Sequence, residues 1–274
     1  FQSRAELSPY VERFVLTGQS ARLSAAALET LIPIDVMGLA LNHQRYGFFT
    51  NESGGLLDDL MLVHRETHHG KEWLMVVNGA CKSADLAHIH HYIGDQCHIT
   101  HLEDQALLAL QGPAAPDALL RICDAPKQLR FMQGGWYEAD GIRMYITRSG
   151  YTGEDGFELS VKAVDAPRLA QLLLAQPEVL PIGLGARNSL RLEAGLCLYG
   201  NDLTAHTNPV NANLQWAIQK VRRQGGDRAG GFLGSAAIDA AFASVQSWAS
   251  NRIDDGSNHH NYVQNEEGKQ EGYL

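Results

Sequence analysis

Helices packed on mixed, largely antiparallel sheets, an α+β arrangement, follow from three features of this 274-residue sequence. Strand-like and helix-like stretches alternate irregularly, hairpins sit among them, and the connections are short. Neither the glycine fingerprint of a dinucleotide-binding βαβ unit nor a phosphate loop ending Gly-Lys-Ser/Thr occurs, which excludes nucleotide folds of those types. At 45% hydrophobic residues the chain can bury the core of one large or two moderate domains. A formal charge of −9 and the lack of any Lys/Arg-rich run argue against duplex nucleic acid and anionic membrane as partners. Cys81, Cys97, Cys123 and Cys197 show no Cys-x-x-Cys spacing and read as reduced thiols in a cytosol-like compartment. No apolar run approaches ~18 residues, and the first six residues lack the apolar core of a signal peptide.

Residues 1–20 carry mixed charge without a clear period and are assigned no role. From Ala21 to Leu31, Leu23, Ala27, Leu28 and Leu31 recur at helical intervals, and Pro33 stops the helix soon after. A hairpin follows. Tyr46–Thr50 and Leu56–Val63 pair across the turn Asn51-Glu52-Ser53-Gly54-Gly55, whose glycines take positive φ at low cost. Asp58 and Asp59 sit on its second strand, so they point to opposite faces and at most one is expected in a pocket while the other reaches solvent or caps a turn. A third strand, Glu72–Val77, ends at Asn78, a turn former whose amide has both a donor and an acceptor to offer a heterocycle's edge.

A helix opened by Ser83 or Asp85 carries His88, His90 and His91, and His64 and His68 precede it. Spacings of two and one scatter the first three over different faces, and the glutamate of His64-Arg65-Glu66-Thr67-His68 does not directly follow His64, so solvent-exposed histidines are expected rather than a metal site. Asp104–Leu110 reads as a strand, Ala115–Ile122 as a helix and Ile142–Ile146 as a strand. In the glycine-rich Arg148–Leu159, Gly150 and Gly153 allow a tight turn that projects the Tyr151 phenol. A helix capped by Asp165, with Pro167 in its first turn, runs to Leu174. Another, entered through Gly183 and ended by Gly195, carries Glu193 at its C-terminal end, where a carboxylate opposes the helix dipole and is better explained by a ligand or a cation.

Three motifs, taken together, resemble one family. Asn51-Glu52-x-Gly54-Gly55-x-x-Asp58-Asp59, Arg148-Ser149-Gly150-Tyr151-Thr152-Gly153-Glu154-Asp155-Gly156-Phe157-Glu158 and Gly183-Leu184-Gly185-Ala186-Arg187-x-Ser189-Leu190-Arg191-Leu192-Glu193-Ala194-Gly195 are similar to the aminomethyltransferases of the glycine cleavage system, the T-proteins. The similarity runs from about Arg22 to about Phe232, dividing the chain into a divergent segment 1–20, a folate-binding region 21–232 of two α+β subdomains, and a divergent tail 233–274 that is expected to be poorly ordered. The resemblance leads to the expectation that the family's usual N-terminal segment and C-terminal β-barrel are lacking here.

The resemblance implies transfer of the one-carbon unit from the aminomethyl-lipoyl arm of H-protein to tetrahydrofolate, with release of ammonia. It implies Asp59 as the catalytic carboxylate and Asp58 as its structural partner. It also implies a folate pocket in which Glu193 accepts from the pterin's paired N–H donors, Asn78 lies beside them, and Arg222 meets the folate carboxylates. Tyr46 and Tyr151 are placed against the ring faces. The expected compartment is the cytoplasm in a bacterium or the mitochondrial matrix in a eukaryote, with the cytoplasm favoured. Two alternatives stand beside this reading: a catalytically impaired folate-binding fragment, and a folate-binding relative in iron–sulfur cluster maintenance. The second resembles Lys-Gly-Cys-Tyr-x-Gly-Gln-Glu where this chain has Arg148-Ser149-Gly150-Tyr151-Thr152-Gly153-Glu154, without the cysteine.

Overall fold

A computed structural model of the chain describes residues 11–18 and 20–254. The order begins with β1 (Val11–Thr17), α1 (Ala21–Leu28), β2 (His43–Thr50), β3 (Leu56–Thr67), β4 (Gly70–Asn78), α2 (Lys82–Ile93) and β5 (His98–His101). These strands form a sheet ordered β2-β3-β4-β1-β5. Next come β6 (Gln105–Gln111), α3 (Ala115–Leu120), α4 (Ala125–Gln128), β7 (Gly134–Ala139), β8 (Ile142–Thr147) and β9 (Gly156–Lys162), giving a second sheet ordered β6-β9-β8-β7. The helices α5 (Ala166–Leu174), α6 (Leu184–Glu193) and α7 (Ser235–Asp254) follow. The expected α+β class is the one found, but every pairing between the named strands is antiparallel, so the sheets are not mixed.

Two expectations about the ends need correction. Val11–Thr17, given no role from its sequence, is an inner strand of the first sheet between β4 and β5, and buries Phe14 and Leu16. Its mixed charge hid the alternation of apolar residues. Ser235–Asp254, placed in a divergent tail, is a helix of 20 residues with Ile238 buried. Residues 255–274, expected to be poorly ordered, lie outside the described residues.

Strand parity sets the layers. On β3, Leu60 and Leu62 join Phe14, Leu16, Phe49, Trp73, Met75, Ile89 and Ile93 in a core shared with α1 and α2. Val63 faces the other way, into a cluster with Val15, Leu74 and Tyr145, so the second sheet covers the opposite face of the first. Phe48 and Leu56 pack with Leu203, Val210, Leu214, Ile218, Phe232 and Ile238, which ties the segment after α6 to the β2–β3 hairpin. Each large apolar side chain removed from water in these layers contributes about 1.5–3 kcal/mol. Asp58 therefore looks toward α2, and Asp59 toward the second sheet and the loops at its edge.

Candidate active site

The β2–β3 turn is fixed by its first residue. Asn51 Oδ1 accepts from the backbone N–H groups of Ser53 and Gly55 at 3.0 and 2.9 Å, while Asn51 Nδ2 donates to the Ala205 carbonyl at 2.9 Å. Of the two glycines only Gly54 takes positive φ, at 78°. Gly55 is needed for space, since a Cβ there would collide with the Ala205 carbonyl. The turn is thus wedged against the 205–207 segment, which orients the start of β3 and its two aspartates.

The carboxylates do not divide between pocket and solvent as expected. Asp58 is fully buried and Asp59 half-buried. Asn78, the last residue of β4, joins them: its Nδ2 donates to Asp58 Oδ1 at 2.8 Å and to Asp59 Oδ1 at 2.7 Å, and its backbone N–H donates to Asp58 Oδ2 at 3.1 Å. An amide standing at the strand end, beside the aspartate pair, reaches both side chains even though they leave opposite faces. Both Asn78 amide hydrogens are then engaged inside the protein, so only its carbonyl oxygen is left to meet a ligand, and it meets donors alone.

Tyr46 completes the hold on Asp59. Its hydroxyl donates to Asp59 Oδ2 at 3.0 Å, and its ring stacks on Trp216 with centroids 5.4 Å apart. Burial first, and then the charge of Asp58, push the Asp59 carboxyl up to about 6, against the hydrogen bonds from Asn78 and Tyr46, which lower it. Burial and the Asp59 charge drive the Tyr46 phenol far above its usual range, so it remains a donor. The Tyr151 hydroxyl donates to the Cys197 carbonyl, and the Arg187 guanidinium lies 4.4 Å from the centre of its ring. Burial and the nearby charge of Asp59 raise this phenol to about 12. Tyr46, Asp59 and Asn78 therefore form one hydrogen-bonded group, with Tyr151 near enough for the Asp59 charge to act on it.

Glu193 and Arg222 are placed differently. Glu193 is the last residue of α6 and is exposed. Its neighbour Ala194 packs against Gly153, where positive φ and the Ala194 methyl leave no room for a side chain. The end of α6 is thereby set on the Tyr151 loop. Arg222 is buried and its guanidinium is engaged within the protein: it pairs with Glu29 at 3.2 Å and donates to the carbonyls of Glu29 at 2.6 Å and Arg228 at 2.8 Å. These contacts meet the charge that the sequence reading assigned to folate carboxylates.

Sequence reasoning missed three participants. The helix α2 is preceded by Cys81 rather than opened by Ser83 or Asp85. Asp85 instead is buried in its first turn and hydrogen-bonded to Asp58, with the Cys81 thiol also bonded to Asp58. Arg187 was passed over within its motif. No local rule links a helix acid to a strand acid, so the sequence carried no signal for Asp85. His88 is not at the surface as expected; it is half-buried, edge-on to Phe49 and Tyr92, and burial lowers its pKa. No group of three or more potential metal ligands occurs among the described residues. One cavity of about 20 Å³ lies between the sheets and another of about 410 Å³ between the hairpin turn and α2; Asp59 lines neither of these.

Two antiparallel sheets with an aspartate pair presented at the end of a glycine turn define a class. The chain belongs to the family of the GCVT N-terminal domain, whose model matches residues 9–222. This family span includes β1, which lay before the region of resemblance in the sequence reading. The mitochondrial aminomethyltransferase of Solanum tuberosum is 44% identical over 77% of this chain and 52% of its own length. That of Dictyostelium discoideum is 40% identical over 77% and 54%. The solved glycine cleavage system aminomethyltransferase T from Bartonella henselae superposes with a TM-score of 0.74 at 38% identity, covering 88% of this chain and 62% of that one. The chain thus spans about half the length of the curated relatives it matches.

Proposed function

We propose that this chain carries the folate-handling site of an aminomethyltransferase, transferring the one-carbon unit of an aminomethyl-lipoyl arm on H-protein to tetrahydrofolate with release of ammonia. The observation that carries the reading is the Asp59 carboxylate, held at both oxygens by Tyr46 and Asn78 and poised near neutrality. Its chemistry suits the step. A fixed carboxylate beside the folate amine orients that nitrogen and stabilises the positive charge that develops as it attacks the iminium-like carbon. The Asn78 carbonyl accepts from a pterin N–H, and Glu193, exposed at the end of α6 and lacking a hydrogen-bond or ion-pair partner among the described residues, is free to accept from a pair of such donors. Tyr46 and Tyr151 bound the ring's approach. Arg222 has no part in this reading, because its charge is met by Glu29.

Two measurements on the full chain test it: folate binding by calorimetry, and ammonia release from aminomethylated H-protein. Asp59→Asn is expected to lower turnover by ~100-fold or more while folate affinity changes by less than ~10-fold. Glu193→Ala is expected to do the reverse. Turnover indifferent to Asp59→Asn removes the mechanism, and folate binding without any turnover reduces the chain to a binding unit.

A further inference from the structure

Behind the Asp59 site lies a second carboxyl pair that the mechanism above does not use. Asp58 is fully buried and accepts from the Asn78 backbone, the Asn78 amide and the Cys81 thiol. Asp85, 2% exposed in the first turn of α2, hydrogen-bonds Asp58 through its carboxyl, and its Oδ2 is buried with no partner. Two carboxylates in contact in a buried site cannot both be ionised, so the pair holds one proton. Asp58 has three donors aimed at it that stabilise its charge, and Asp85 has none.

We propose that Asp85 is a positioning residue which, by keeping its proton and donating it in a hydrogen bond to Asp58, confines the pair's negative charge to Asp58 and so sets the electrostatic field in which Asp59 works. The chain of contacts is continuous. Asp85 bonds Asp58, Asp58 holds the Asn78 amide, and the other hydrogen of that amide holds Asp59. The charge so fixed on Asp58 is the second influence, after burial, that raises Asp59. The other titratable groups facing this network are the Cys81 thiol at the start of α2, Tyr46 and Tyr151 against Asp59, Cys197 beside them, and Tyr199 toward Asp58. An ordinary reading of Asp85 as a cap is excluded, since no side-chain capping bond is made at this helix.

The inference rests on the reading of Asp59 as the working carboxylate, but its test needs neither folate nor H-protein. Carbon-13-labelled aspartate carboxyls in the full chain are titrated by NMR, with Asp59 and Asp85 identified by their substitution. In the wild type, Asp85 is expected to remain protonated at about pH 8, beyond the midpoint of Asp59. In Asp85→Asn the amide still donates to Asp58 but has no proton to lose, so the Asp59 midpoint stays within ~0.3 units. In Asp85→Leu that donor is gone, so Asp58, left with the Asn78 and Cys81 donors, holds its charge less firmly and the Asp59 midpoint falls by more than ~0.3 units. Asp85 ionised at about pH 8, or an Asp85→Asn variant that moves Asp59 as far as Asp85→Leu does, overturns the proposal. Should the leucine variant fail to fold, the wild type and the asparagine variant decide between them. Loss of turnover with this titration pattern intact leaves the inference standing and removes only the proposed activity.

Discussion

Tyr46 does two things to Asp59: its hydroxyl holds one oxygen, and its ring, backed by Trp216, fixes the direction from which that bond is made. Tyr46→Phe separates them. With the stack kept and the hydrogen bond lost, the carboxylate is less stabilised, so its midpoint rises from about 6 by roughly half a unit to one unit. Activity that requires the carboxylate should rise with pH through that midpoint, and the limb should move to higher pH in Tyr46→Phe, as a pH–rate profile will show. Stability responds with the opposite slope. A carboxyl raised on folding binds its proton more tightly in the native state, so the contribution of Asp59 is fullest below the ordinary range near ~3.9 and is lost as pH rises through about 6. Urea unfolding followed across that window should lose this decline in Asp59→Asn.

The hairpin turn shows how two adjacent glycines answer to different physics. Gly54 has the backbone conformation that a side chain resists, whereas Gly55 has an ordinary one and no space. Gly55→Ala is expected to lower stability by about 1–3 kcal/mol through overpacking against the Ala205 backbone, and to loosen the Asn51 bond to that carbonyl; Gly54→Ala should cost about 1–2 kcal/mol through its φ, with tight contacts to Ile238, Ala237 and Asn208 adding to that. A shifted urea midpoint at constant slope checks both. From the sequence this turn, both its strands, the third strand, and the helices before Pro33, at Asp165 and after Gly183 were legible, because local apolar spacing and Gly/Pro punctuation specify them. The strand at 11–17 was not, since an inner strand's partners lie more than 50 residues away in the chain. At the site, motif chemistry pointed to the Asp58–Asp59 pair and to Tyr46, Asn78 and Tyr151, which the fold groups together. It could not reveal that Asn78 bridges both acids, that Asp85 stands behind them, or that Arg222 has an acid of its own.

Across the molecule, one ion network joins the start of the chain to its later part. Glu29, just after α1, meets Arg222 and Arg228, and Arg228 also meets Asp35, which pairs with Arg45 on β2. Arg222→Ala leaves Glu29 to Arg228 alone and empties the bonds to two carbonyls, so it should lower stability by about 1–3 kcal/mol, as measured in urea. In whatever fraction remains folded, folate affinity should change little; a large loss of affinity at unchanged stability would return Arg222 to the ligand site.

The stack of Trp216 on Tyr46 has a practical corollary. An indole 40% exposed, one ring away from Asp59, is a built-in optical probe whose emission senses when the neighbouring acid gains or loses its proton. The fluorescence of the intact chain, minus that of Trp216→Phe, should therefore trace the same midpoint as the carboxyl and respond when a guest settles beside it, giving a label-free signal from a residue already in the sequence.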